Sequence, residues 1–135
     1  MTTVNETGTL PIIAEQHVVL ARQIVRQLAL KCGFSLVDQT KLVTAASELG
    51  RNTLKYGGGG AMHWEIRREG GRCGVRLAFA DEGPGIPDLE QAMVDGWTSG
   101  SGLGLGLSGT KRLVNEFDVD TKVGRGTTVT IARWK

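Results

Sequence analysis

The sequence predicts an α+β fold, a two-layer sandwich with helices on one face of a largely antiparallel mixed sheet. Three observations predict it. Two long amphipathic stretches follow one another near the N-terminus, two pairs of strand-like runs are each joined by a glycine-containing turn, and fifteen of the twenty glycines lie between 57 and 109. The first third is therefore regular and the middle is full of turns. With 135 residues the chain is expected to form a single domain, 1–135, with an adequate core of its own.

Each element can be justified in order. "TLPIIA" (9–14) reads as a short edge strand, where Pro11 is tolerated. "EQHVVLARQIVRQLALKCG" places apolar residues at 18, 21, 24, 25 and 28, the stripe of an amphipathic helix, and Gly33 is its stop. "SLVDQTKLVTAASELGRNTLKYG" opens with Ser35 and Asp38 in capping-box spacing and ends at Gly57. "AMHWEIRR" and "CGVRLAFAD" form a hairpin about "EGGR", with Val75, Leu77 and Phe79 alternating inward and Asp81 closing the second strand. "DLEQAMVDG" (88–96) is a short helix capped by Asp88. After a glycine-rich run, "LSGTKRLVNEF" is helical, and "DVDTKVGRGTTVTIARWK" is a second hairpin turning at "GRG". Trp64 and Trp134 fall in strands.

Composition narrows the function. Net charge is +2, with acidic and basic residues interspersed, so nothing points to a nucleic-acid partner. No apolar run approaches a membrane span, and "MTTVNETGTLP" has no basic region followed by an apolar core. The expectation is a cytoplasmic protein without a membrane partner. Cys32 and Cys73 share no metal-ligand spacing; they read as two thiols suited to a reducing cytosol, either small core residues or near-surface ones.

Three stretches carry chemistry. "TSGSGLGLGLSGTK" has glycines at 100, 102, 104, 106 and 109. The G-x-G-x-x-G match at 104–109 lacks the preceding strand of a dinucleotide fold, and Lys111 is misplaced for a P-loop. A disordered linker would leave Leu103, Leu105 and Leu107 exposed. A flexible segment running into a helix N-terminus survives, its amides free to meet anionic oxygens. In "SELGRNTLKYG", Glu48 and Asn52 sit four apart on one helix face, with Thr44 and Lys55 near it. That face is either a solvated polar surface or a magnesium site, in which Asn52 offers a hard oxygen, Glu48 accepts a proton and Lys55 faces phosphate. "DEGPGIPD" (81–88) is either a plain turn or a place for a flat base, with Asp81 as acceptor for an amino group and Gly83 and Gly85 clearing space.

Taken in this order, the three stretches resemble the Bergerat-fold (GHKL) ATP-binding family of gyrase-type ATPases, Hsp90, histidine kinases and anti-sigma serine kinases. "ELGRN" looks like its N box, "DEGPGI" its G1 box, "GSGLGLGL" its G2 box and lid, and "GRGTTVTI" its closing G-T segment. The compact length, "SELGRN", "DEGPGIPD", "GWTSGSGLGLGLSGTKRL" and "ARWK" look like the RsbT-type switch kinases of bacterial partner-switching (stressosome) modules. The resemblance implies an ATP and Mg²⁺ site with Asn52 holding the metal, Glu48 as general base and Asp81 reading the adenine amino group with help from Thr127. Gly83, Gly85 and Ile86 would border the base, and Gly102, Leu103, Gly104, Leu105 and Gly106 of a lid at about 96–106 would cover the phosphates. Lys55 falls where "NxxKY" of the histidine-kinase N box places a phosphate contact, and Lys111 is a further candidate. Arg51 either pairs with a carboxylate or serves the incoming substrate.

The activity implied is transfer of phosphate from ATP to a serine or threonine of a STAS-domain antagonist or scaffold protein, followed by binding of a PP2C-type phosphatase. The alternative is an anti-sigma factor that binds a sigma factor and its STAS antagonist under ATP control. A histidine kinase would need an acceptor histidine on a dimerisation helix, whereas His17 and His63 read as structural.

Overall fold

A computed structural model describes residues 2–94 and 106–135. Five strands form one sheet: β1 (Thr2–Ile12), β2 (Gly60–Glu69), β3 (Arg72–Asp81), β4 (Glu116–Lys122) and β5 (Gly126–Trp134). Their spatial order is β1-β2-β3-β5-β4, and the largely antiparallel sheet foreseen is antiparallel at all four pairings. The helices are α1 (Glu15–Lys31), α2 (Leu36–Lys55), and the short α3 (Leu89–Ala92) and α4 (Gly106–Lys111).

Local chemistry explains the long elements. Val18, Ala21, Val25 and Leu28 of the predicted stripe are buried, with Ile24 packed beside them. Gly33, at φ 75°, reverses the chain, and Ser35 caps α2 by accepting the Asp38 N–H at 3.2 Å. The ring of His17 accepts the N–H groups of Ile13 and Ala14, a capping role consistent with a structural histidine. Gly70 and Gly71, both at positive φ, make the two-residue turn between β2 and β3. Met62 and Ile66 of β2, Val75, Leu77 and Phe79 of β3 and Val129 and Ile131 of β5 meet the helices in one core.

Four expectations need correction. The first strand is longer than 9–14, because the polar "TTVNETG" also pairs with β2, through a bulge between Val4 and Glu6. The helix expected over 88–96 is the four-residue α3, still capped by Asp88 on the Gln91 N–H. The helix expected to continue through Phe117 stops at Lys111, because the Asn115 amide already bonds the Ala132 carbonyl and Arg133 holds the Leu113 carbonyl. Strand pairing thus overrides helical periodicity at 112–117. Finally, of the core and near-surface placements left open for Cys32 and Cys73 the structure shows the core, and the two are not free thiols but a disulfide between the end of α1 and the start of β3, with Cα atoms 5.3 Å apart.

Candidate functional site

A cavity of about 430 Å³ opens between α2 and the ends of β3 and β5, a size suited to a small organic ligand. From α2 it takes Glu48, Leu49, Asn52, Thr53 and Lys55, with Tyr56 at its C-terminal cap, positions that recur at helical spacing along one face. The end of β3 adds Asp81, the loop after it Gly85 and Ile86, and β5 adds Thr127. Leu49, Phe79, Leu107 and Val129 give it apolar walls. The cavity therefore gathers Glu48, Asn52, Lys55, Asp81, Gly85, Ile86, Gly106 and Thr127 of the expected site.

Asp81 anchors the far end of the cavity. Its Oδ1 accepts the N–H groups of Gly83 at 2.9 Å and Thr127 at 3.2 Å. Oδ2 has no partner among the described residues, so one oxygen fixes the turn and the other is free to accept a donor. Thr121, on β4, is a site-supporting residue missed in the sequence. Its hydroxyl accepts the Ile86 N–H at 2.9 Å and lies 2.8 Å from the Thr127 hydroxyl. Its place on the inward face with Phe117 and Val119 is the signal that could have found it.

The glycines act partly through backbone contacts. A Cβ on Gly83 would meet the Gly57 backbone at 2.8 Å, and Gly83 itself does not line the cavity. Gly85 does line it, at φ 79°, with the Lys122 carbonyl where a Cβ would go. Close backbone packing is thus a cause of both glycines, in addition to any room for a base.

At the other end Glu48 is 3% exposed. A buried carboxylate needs partners. Oε2 accepts from Arg51 Nη2 at 2.8 Å, and Oε1 accepts the Gly106 N–H at 3.3 Å. Arg51 therefore pairs with a carboxylate. Asn52 is half-buried one turn beyond, and its side-chain amide has no hydrogen-bond partner among the described residues. No group of three His, Cys, Asp or Glu side chains able to hold a metal occurs among the described residues. A hard ion here would rest on the Asn52 oxygen together with ligand phosphates and water, a donor set that suits Mg²⁺. Thr44 and Lys111 are exposed and outside the cavity. Gly102, Leu103, Gly104 and Leu105, and with them most of the expected lid at 96–106, lie outside the described residues.

Fold, cavity and the three sequence boxes define an ATP-binding domain of the Bergerat type. The family model for histidine kinase-, DNA gyrase B-, and HSP90-like ATPases matches residues 37–135, and the chain belongs to that family. More particularly, it is 40% identical over 130 residues to the serine/threonine-protein kinase RsbT of Bacillus subtilis (strain 168), covering 96% of this chain and 98% of that protein. The expected RsbT-type class of serine/threonine kinase is borne out by that relative. The crystal structure of the RsbU and RsbW domains of Rv1364c from Mycobacterium tuberculosis superposes with a TM-score of 0.66 at 19% identity. It matches 97% of this chain, which spans about a third of that one, and the likeness shows the shared fold. No helix among the described residues is long and apolar enough to cross a membrane.

Proposed function

We propose that this chain transfers the γ-phosphoryl group of ATP to a serine or threonine of a STAS-domain antagonist or scaffold protein, then engages a PP2C-type phosphatase. The observation that carries the reading is the buried Glu48 carboxylate sharing one cavity with the unpartnered amide of Asn52, while Asp81 keeps an oxygen free at the opposite end.

The residues divide the task by position. Asp81 accepts the adenine amino group, with its other oxygen pinned by Gly83 and Thr127. The apolar walls exclude water around the base. Asn52 would hold Mg²⁺, which would supply positive charge beside the phosphates. Lys55 brings a further cation to the same face. The acceptor oxygen forms a bond to the γ-phosphorus as the bond to the β-phosphate oxygen breaks, its electron pair leaving with ADP. Glu48 takes the hydroxyl proton. Phosphorylation would add about two negative charges to the antagonist surface and redirect its complexes.

Incubation with Mg-ATP and the STAS-domain proteins encoded beside the gene, followed by mass spectrometry, tests the reading. Wild type should phosphorylate one of them, and Glu48→Gln should be slower by roughly 10²–10⁴-fold with ATP affinity little changed. Glutamine keeps an acceptor for the Gly106 amide but cannot take a proton. Equal rates would remove Glu48 as the base. Partner binding without any transfer would favour an anti-sigma factor that binds a sigma factor.

A further inference from the structure

We infer that Arg51 is a positioning residue for phosphoryl transfer: its guanidinium holds Glu48 Oε2 and so presents Oε1 as the atom that takes the acceptor proton. The inference rests on the reading of Glu48 as the base.

The two oxygens of Glu48 are held unequally. Oε2 carries a short, charge-assisted bond of 2.8 Å from Arg51, three residues on along the same helix. Oε1 carries a 3.3 Å bond from the neutral amide of Gly106, a residue that itself lines the cavity. The weaker partner yields first when a hydroxyl arrives, and the oxygen under a guanidinium is the poorer proton acceptor. Oε1 is therefore the basic atom. Because donor and acceptor sit on one α-helix, the carboxylate plane is set by rigid backbone.

Exposure separates this role from a structural one. The Arg51 side chain is 46% exposed while that of Glu48 is 4% exposed. Removing Arg51 takes the main donor from a buried carboxylate and so costs stability. Water can reach the exposed side of the pair, so the variant should still fold, with a lowered Tm and with the carboxylate released from its orientation. Misplacement of a reacting group on this scale costs about 10²-fold in rate.

The test is a double-mutant cycle using ATP as donor and, as acceptor, the STAS-domain protein encoded nearest the gene, with kcat and the KM for both substrates measured separately. Arg51→Ala should lower kcat by about 10²-fold with both KM values within about twofold of wild type. Arg51→Lys, which keeps a cation but not the planar fork, should recover part of the loss. In the Glu48→Gln background Arg51→Ala should have no further effect, because the atom it positions is gone. An unchanged kcat in Arg51→Ala would overturn the inference. So would an equal loss in both backgrounds, or a raised acceptor KM at constant kcat, which would make Arg51 a substrate contact. A wild type without transfer, or a Glu48→Gln variant as fast as wild type, would instead overturn the base assignment beneath it.

Discussion

At the scale of single residues, the site depends on carboxylates whose two oxygens do different work. Asp81 spends Oδ1 on the backbone of Gly83 and Thr127 and leaves Oδ2 unpartnered among the described residues. Asp81→Asn can keep Oδ1 as the acceptor of both amides, so the turn should survive. With adenine bound as proposed, its new NH₂ group would face the adenine amino group donor to donor. ATP affinity is expected to fall about 10- to 100-fold, the range for losing a hydrogen bond to a charged group. Calorimetry for affinity and thermal melting for stability check this together. A variant that melts far lower yet binds ATP normally in its folded fraction would make Asp81 only a turn residue.

At the scale of elements, α2 carries one face of the cavity and must be held in register with the sheet. A polar tie lies at its first turn, where Arg133 Nη2 of β5 donates to Asp38 Oδ1 at 2.6 Å while Nη1 donates to the Leu113 carbonyl. The hydrogen bond from Arg133 is the main reason the Asp38 carboxyl titrates below its ordinary range. Burial opposes it as the second largest effect, and the Arg133 charge, the bond to Ser35 and the Lys41 charge each lower the value further. A carboxyl depressed in the folded state stabilises above its unfolded value and loses that contribution as pH falls through the folded one. Wild type should therefore melt above Asp38→Asn at neutral pH, and the gap should close as pH drops below about 4. Melting curves from pH 7 to pH 2.5 would show this; a gap independent of pH would assign the effect to packing.

At the scale of the molecule, the helix layer is tied to the sheet by one covalent link. Cys32 ends α1, Cys73 begins β3, and 41 residues separate them. Closing a loop of that length lowers the entropy of the unfolded chain enough to stabilise the fold by about 4 kcal/mol. Reduction, or the pair Cys32→Ser and Cys73→Ser, is expected to lower Tm by about 14 °C. ATP affinity should persist in the folded fraction, because neither cysteine lines the cavity. Intact mass after alkylation without reductant checks the link itself: two alkyl groups on the native chain would show free thiols.

Much of this architecture is legible because it is local. The stripe at Val18, Ala21, Val25 and Leu28 depends on 3.6-residue periodicity, Ser35 caps a residue three away, and Gly70-Gly71 is a turn by composition. Glu48 and Asn52 were readable together for the same reason, since residues four apart on a helix must be neighbours. The antiparallel order around the two hairpins followed from the alternation of Val75, Leu77 and Phe79. What the tertiary structure alone decided spans long stretches of chain. Glu48 meets Gly106 across 58 residues, Asp81 meets Thr127 across 46, and Arg133 reaches Asp38 across 95. It also settled the partner of Arg51, the role of Thr121, the disulfide and the end of α4 at Lys111. The physical reason is that periodicity records which face a residue occupies, whereas its partner across the fold is set by strand register and layer packing, which no local window contains.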